Sequence, residues 1–428
     1  MTEKHNFFIL FIKRRFMPLF ITQYSGAFND NFLKCAILTM VTFLVAKDPA
    51  RAGVLTNLAM ALFILPFFLF SAAAGTWVDG TDKARCCRIV KVIEIVLMLL
   101  AAVALHYQWI TGLLILLFCM GTQSTFFGPA KFALLPQHLE GRELLAGNAF
   151  VDAGTFIAIL TGSIAGSLLV ALPGGMLYSG GVLVALAVIG CIAAWYIPPA
   201  PPAGTELKVS WNIIGSTYRL LREGLQERDL RDCILTLSIF WMAGALYISI
   251  LPLVCLSVIG GNELVSTIFL TIFSVGVAAG ALGANAVLKG VVCGRLAPLS
   301  MFFMALFTLD LAWCCRAETE FTTLSGPLAL CHGVQFWRIC GDLFAISFFG
   351  GMFSVPLKAL LQHRAPAGMA ARVIAALNVV NSAFMAGGTL IAAAAHKLWA
   401  LPPGIPLVAL ALVLLGNAFY SRRLAKSR

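Results

Sequence analysis

Gln23, Asn29, Asp30, Asn31 and Lys34, with Phe28 among them, interrupt an otherwise apolar run that extends from Phe16 to Val45. A carboxylate, an ammonium and three amides lie between Gln23 and Lys34. Such a set can bind a group that carries both signs of charge, because each charge needs a hydrogen-bonded partner once it leaves water. The run has the roughly 20–30 residues that a tilted membrane span requires at about 1.5 Å per residue, which puts Asp30 near mid-span. An ionised carboxylate at that depth costs at least ~2.5–3.5 kcal/mol on insertion scales. Asp30 is therefore expected to face a water-filled cavity, pair with a cation or hold a proton. Lys34, one helical turn on, is the candidate for such a cation. The structural alternative is an Asp30–Lys34 pair that only joins helices.

Further polar pairs stand in later apolar runs. Asn148 and Asp152 are four apart and share a helix face, and Asn378 and Asn381 repeat the pattern. Asn148 is expected near the membrane interface, and Asp152 deeper, on a cavity wall. Glu94 follows Lys91 closely enough to be neutralised by it. Asp310 has no partner nearby in sequence, and Arg338 and Asp342 are expected to form an i,i+4 ion pair.

A different chemistry is written in Gly75-Thr76-Trp77-Val78-Asp79, followed by Lys83, Arg85 and Arg88. The glycine permits close helix approach, and Asp79 can bond a helix N-terminus or an arginine. The arrangement resembles the cytoplasmic loop motif of the major facilitator superfamily, which implies that Asp79 gates and does not bind substrate; an ordinary basic loop is the alternative. The sequence contains no Gly-x-x-x-x-Gly-Lys-Ser/Thr loop for phosphate, and no His followed five residues later by Asp. The 12 cysteines form no CxxC pair and no metal-like spacing with histidine. Neither an enzyme, a cofactor nor a metal site is expected.

The elements that position these groups are membrane spans. Hydrophobic residues make up 60% of the 428-residue chain and charged residues 11%, which excludes an ordinary soluble domain. Apolar runs place twelve spans near 17–46, 53–78, 88–107, 110–128, 146–171, 178–197, 234–258, 264–288, 295–315, 334–357, 374–396 and 404–421. Phe7–Ile12 is too short for a signal-peptide core and is broken by Lys13, Arg14 and Arg15, so the first span is retained. With both termini cytoplasmic, only Lys47, Arg51, Arg316, Arg338 and Lys397 fall outside and Lys34 within a span; the remaining Lys and Arg lie inside. The net charge of +11 thus reports topology and not a nucleic-acid partner. Pro198–Pro202 and an amphipathic helix over Ser210–Asp232 separate the two sets of spans, giving a six-helix half at 1–197, a connector at 198–232 and a second half at 233–428.

The halves resemble each other. Phe127-Gly128-Pro129-Ala130-Lys131 with Ala133-Leu134-Leu135 and Gln137-His138 matches Val355-Pro356-Leu357-Lys358 with Ala359-Leu360-Leu361 and Gln362-His363. A parallel repeat of six spans resembles the major facilitator superfamily, an all-α membrane fold. In that superfamily the glycine-bearing fifth span (Gly154, Gly162, Gly166) and eighth span (Gly276, Gly280, Gly283) are expected to face each other across the halves.

Within it, Gln23, Ala27, Phe28, Asp30 and Asn31, Pro129-Ala130-Lys131, Asn148 with Asp152, Ser210-Trp211-Asn212, Phe240-Trp241 and Val355–Gln362 resemble the bacterial lysophospholipid transporters. The resemblance implies inward movement of lysophospholipid, chiefly lysophosphatidylethanolamine, across the bacterial inner membrane for reacylation. It also implies membrane lipids as partners, a cytoplasmic acyltransferase or acyl-carrier-protein ligase beside it, and a monomer. Asp30 would meet the headgroup ammonium, and Lys34 or Lys131 the phosphate. The sequence departs from the pattern at Lys34 and at Tyr247-Ile248-Ser249, where an arginine is expected. Two other readings are a proton-coupled permease for a small polar solute, with Asp30 or Asp152 carrying the proton, and a non-transporting scaffold acting through the connector.

Overall fold

Membrane-length helices dominate because a backbone in lipid must satisfy its own hydrogen bonds. The structure is a computed structural model that describes residues 7–45, 49–202, 204, 210, 212–316, 321, 323–399, 402 and 404–426. Its helices are α1 (Met17–Thr39), α2 (Pro49–Asp79), α3 (Lys83–His106), α4 (Ile110–His138), α5 (Arg142–Ala171), α6 (Gly175–Trp195) and α7 (Ile213–Gly224), followed by α8 (Arg228–Val258), α9 (Glu263–Leu288), α10 (Ala297–Cys314), α11 (Pro327–Leu330), α12 (Val334–Arg364), α13 (Ala370–Trp399) and α14 (Gly404–Lys426). Among the described residues, eleven helices are long and apolar enough to cross a membrane. The twelfth, α1, has 23 residues, and its polar cluster lowers its apolar character. Helix α3 shows the lipid-facing pattern: Ile89, Val92, Ile93, Val96, Leu99, Leu100 and Val103 are exposed. The fold is all-α, with twelve spans. Lys47 and Trp211 lie outside the described residues, as do the side chains of Arg51 and Lys397.

Two expected boundaries differ. The fourth span does not stop at Gly128; α4 runs on through Pro129 and Pro136 to His138, and α12 likewise contains Pro356. Membrane helices tolerate proline because neighbouring groups re-satisfy the freed carbonyls. The connector helix is shorter than Ser210–Asp232. It begins with the Asn212 side chain accepting from Gly215 N at 3.0 Å and stops at Gly224, while Arg228–Asp232 open α8. On this helix Ile214 and Tyr218 are exposed, and Leu220 is buried.

The chain divides into two compact units. The first comprises Met1–Gly147, Ile157–Gln226 and Gln362–Val379; the second comprises Asn148–Phe156, Glu227–Leu361 and Val380–Arg428. In the first, α1 and α3 pack on α6, and α2 and α3 pack on α4. Phe32, Leu33, Ile37, Met98, Leu113, Leu117 and Leu183 fill the core between them. Gly162 and Gly166 of α5 lie against the α1 backbone at Phe28 and Phe32, so a Cβ at either would strike a carbonyl. In the second unit, α10 packs on α14, and Gly276 and Gly280 of α9 lie against α12 at Ser347 and Phe348. The glycine faces of the fifth and eighth spans therefore seat α1 and α12, contacts within each unit that spacing alone did not identify.

Candidate functional site

Helix α1 is fixed by its buried face, which carries Gln23, Asn29, Phe32 and Leu33. This leaves Asp30 half-buried on another face, where its Oδ2 accepts a 2.7 Å hydrogen bond from Ser124 Oγ of α4. The Asp30–Lys34 ion pair of the structural alternative does not form. Lys34 Nζ donates to Asn31 Oδ1 at 2.7 Å and stands 5.6 Å from the centre of the Phe63 ring. Asn31 Nδ2 in turn donates to Ala27 O at 2.8 Å, and the Phe28 ring lies on Phe32 at 5.8 Å. Carboxylate and ammonium on one helical turn are thus held by different partners.

Behind Asp30 is a buried network the sequence revealed only in part. Lys91 Nζ lies 2.6 Å from Glu94 Oε2, with both side chains 0% exposed. Glu94 also accepts from Gln123 Nε2 at 2.9 Å and from Asn29 Nδ2 at 3.1 Å. Gln123 Oε1 is 3.1 Å from Ser124 Oγ, which closes a chain from the ion pair to Asp30. The Lys91–Glu94 pair was readable as an i,i+3 neighbour; Gln123 and Ser124 carried no signal beyond being polar in an apolar run. Gln123 also forms part of the lining of an apolar groove of about 600 Å³ with Phe70, Trp77, Phe118 and Phe126.

The remaining candidates in the first unit are Gln23, buried; Lys131, whose Nζ lies 5.0 Å from the Phe132 ring; and Asn378, beside Gly128. In the second unit, Asp152 and Asn148 differ from expectation. Asn148 is 0% exposed and not at a solvated interface, because α5 begins at Arg142 and puts it more than a turn inside. Asp152 does not line an open cavity. Lys358 Nζ lies 3.0 and 2.9 Å from its two oxygens, and also 5.2 Å from the Trp241 ring. Asn381 Oδ1 accepts from Ser238 Oγ at 2.7 Å. Tyr247, standing where an arginine was expected, is buried and bonds Thr308 Oγ1 at 2.5 Å.

Arg338 pairs with Asp310 of α10 and not with Asp342: its Nε donates to Asp310 Oδ2 at 2.9 Å, and its Nη2 contacts Oδ1. A partner on a packed helix outcompetes one on the same helix when its approach is bidentate. Asp310, Cys314 and Asp342 bring ligand atoms within 4.8 Å of one another, and the Arg338 guanidinium already supplies the counter-charge there.

The Gly75–Asp79 motif is built around the start of α13. Asp79 accepts from the backbone N–H groups of Ala371 and Arg372 at 2.9 and 3.0 Å and from Arg372 Nε at 3.2 Å. A carboxylate at a helix N-terminus satisfies donors that the helix leaves open. Gly75 makes the approach possible, since a Cβ there would come within 2.7 Å of Ala375 Cβ. Lys83 is buried and Arg85 exposed. The sequence missed Arg372, which also reaches Glu223 of α7 at 3.1 Å, and Asp82, which accepts from Arg85 N and Ala200 N. Hydrogen bonds to a charged group contribute about 1.5–3 kcal/mol each. Asp79→Ala is therefore expected to open the α2–α13 contact, so that a cysteine at Ala371, 0% exposed in the parent, reacts severalfold faster with a water-soluble maleimide. An unchanged rate would show that the cap does not hold this contact.

Comparison with known proteins agrees with the architecture. Over 357 residues the chain is 24% identical to the lysophospholipid transporter LplT of Yersinia pestis (strain Pestoides F), covering 82% of this chain and 79% of that protein. The same identity and coverage hold for the LplT of Yersinia pseudotuberculosis serotype O:3 (strain YPIII). Among solved structures, the human organic anion transporter MFSD10 superposes with a TM-score of 0.73 at 12% identity, over 95% of this chain and 99% of that one. A bacterial homologue of the iron transporter ferroportin, outward-facing, superposes with a TM-score of 0.70 at 14% identity, over 97% and 100%. A family model matches residues 19–389, so that the twelve spans, the polar first helix and the Asp79 cap all belong to one membrane transporter, a member of the Major Facilitator Superfamily.

Proposed function

We propose that this transporter moves lysophospholipid, chiefly lysophosphatidylethanolamine, inward across the bacterial inner membrane by alternating access, for reacylation on the cytoplasmic side. The observation that carries the reading is the state of α1. Asp30 and Lys34 lie one turn apart inside an apolar span, yet each is held by a neutral partner instead of by the other. A zwitterionic headgroup offers an ammonium to Asp30 and a phosphate to Lys34 or Lys131, replacing both neutral contacts with charged ones. The groove lined by Phe70, Trp77, Phe118 and Phe126 has the apolar character an acyl chain requires. The relatives named as lysophospholipid transporters support the same substrate class. Asn148, Asp152, Asn378 and Asn381 take the supporting polar positions, and Asp79 with Gly75, Lys83 and Arg85 forms the cytoplasmic gate. The protein acts as a monomer with both termini cytoplasmic, as two six-helix halves at 1–197 and 233–428 joined by the connector, beside an acyltransferase or acyl-carrier-protein ligase.

Purified protein in vesicles is expected to carry labelled lysophosphatidylethanolamine between leaflets faster than protein-free vesicles do. Absence of transport by folded protein, together with pH-gradient-driven uptake of a soluble compound, would move the assignment to a small-solute permease.

A further inference from the structure

One face of α10 carries Phe303, Phe307, Asp310 and Cys314, spaced by four, three and four residues. Its aromatic part is stacked on α12: the Phe303 and Phe307 rings lie 4.8 and 6.2 Å from the Phe349 ring and nearly parallel to it. Toward the C-terminal end of α10 the same face becomes polar. There Asp310 meets the Arg338 guanidinium of α12, and Asp310, Cys314 and Asp342 each bring a ligand atom within 4.8 Å of the others. Arg338, Asp342 and Phe349 share one face of α12, at spacings of four and seven residues. The stacked rings therefore fix the helix register that brings the two acids together.

Arg338 offsets only one of these charges. It is committed to Asp310, with Nε 2.9 Å from Oδ2 and Nη2 on Oδ1. Asp342 is 4% exposed, and its buried Oδ2 has no hydrogen-bond partner. Its neighbours in the cluster are a carboxylate, which donates nothing when ionised, and a thiol, which is a weak donor. A carboxylate buried in such surroundings calls for a cation. The thiol decides which kind. An ammonium gains little from sulfur, and Ca²⁺ and Mg²⁺ take oxygen ligands, whereas Zn²⁺ accepts thiolate and carboxylate together. The charges also balance: two carboxylates, one thiolate, one guanidinium and a divalent ion sum to zero. Asp310 can serve both Arg338 and a metal, since a carboxylate has about four lone-pair sites and ligating carboxylates are themselves hydrogen-bonded.

We infer that Asp310, Cys314 and Asp342 form a zinc site that clamps α10 to α12, with Arg338 orienting Asp310 from outside. Three protein ligands leave the fourth tetrahedral position to water. As the ion binds, the Cys314 S–H bond breaks and its proton leaves to water, as does any proton shared by the two acids. The ion exchanges its other hydration waters for the thiolate and the carboxylates. A tetrahedron with bonds of about 2.0–2.3 Å sets its ligand atoms roughly 3.5 Å apart. Atoms already within 4.8 Å of one another can close on the ion by side-chain rotation, with the helices in place. Access is from the exposed edge, where the side chains of Asp310 and Arg338 are 38% and 44% exposed. Sequence spacing could not reveal the site, because no histidine takes part and the ligands come from two helices. The site stands independently of the lysophospholipid reading.

The test uses the full-length, untagged protein in detergent, stripped of metal with a chelator and titrated with Co²⁺ and then Zn²⁺. About one Co²⁺ should bind per protein, with the strong visible absorption of tetrahedral coordination and a near-ultraviolet thiolate-to-cobalt band, and Zn²⁺ should displace it. Cys314→Ala should lose the sulfur band. Asp342→Asn should weaken Zn²⁺ binding by roughly tenfold or more, since even an outer-shell partner of a metal site is worth that much. Zn²⁺ should raise the unfolding temperature of the parent and leave that of Asp342→Asn unchanged. It should also slow maleimide labelling of Cys314 severalfold in the parent, read by mass spectrometry of the labelled peptides, a measurement that depends on no variant folding. Absence of stoichiometric binding by the folded parent, a sulfur band that persists in Cys314→Ala, or labelling of Cys314 unaffected by Zn²⁺ would each overturn the site.

Discussion

Asp30→Asn is expected to reduce transport of lysophosphatidylethanolamine by roughly tenfold or more, since a charge-assisted hydrogen bond contributes about 1.5–3 kcal/mol and each 1.4 kcal/mol is a factor of ten. The substitution keeps size and shape and retains a donor toward Ser124, which lies 2.7 Å from Asp30 Oδ2 in the parent. It removes only the ability to become an anion. Thermal stability should therefore stay near that of the parent while transport falls, a combination that separates a substrate contact from a packing role. The leaflet-exchange assay in vesicles reads the first quantity, and unfolding of the same preparation reads the second. Transport at the parental rate would demote Asp30 to a structural residue and leave Lys34 and Lys131 as the only charges in the first unit assigned to the headgroup.

Sequence reasoning reached the twelve spans because their signal is long and repeated, and it reached the Lys91–Glu94 pair because the partners sit on one helix face. It fell short where the partner stands on another helix. The structural alternative kept open for Asp30, a pair with Lys34, is not formed; Asp30 is bonded to Ser124, 94 residues away. Arg338 was paired with Asp342 but binds Asp310, and Asp152 was left open although Lys358, 206 residues away, holds it. A local pair exists in any helix, so its spacing says little about whether a better acceptor stands across the groove; that is decided by helix packing. The cap by Asp79 was legible in type, since a carboxylate after a Gly-x-x-x spacing seeks open backbone donors, but α13 as the helix capped and Arg372 as the added partner were not. The prolines inside α4 misled for a related reason: in water they end helices, whereas in a membrane neighbouring groups sustain them.

Glu94→Leu should destabilise the protein by about 3–5 kcal/mol, because it leaves the Lys91 ammonium buried without its counter-charge. Both side chains are fully buried, and the Phe127 ring 4.8 Å from Lys91 Nζ cannot replace a carboxylate. Lys91→Met should fall in the same range for the opposite charge, although Glu94 would keep its bonds from Gln123 and Asn29. The double variant Lys91→Met/Glu94→Leu removes both charges, and replacing a buried pair by apolar groups of similar volume is often neutral. Here it should recover only part of the loss, since Gln123 and Asn29 each lose an acceptor and an orphaned buried donor costs about 1–3 kcal/mol. Thermal unfolding of the four proteins closes a double-mutant cycle. Its coupling energy measures the charge pair, and the deficit remaining in the double variant measures what Glu94 does for its neutral neighbours. That second quantity bears on function. If the double variant matches the parent in stability and in lysophosphatidylethanolamine transport, the pair is replaceable packing; if it is stable enough to purify but transports more slowly, Glu94 is kept in the core to aim Gln123, and through Ser124 to position Asp30.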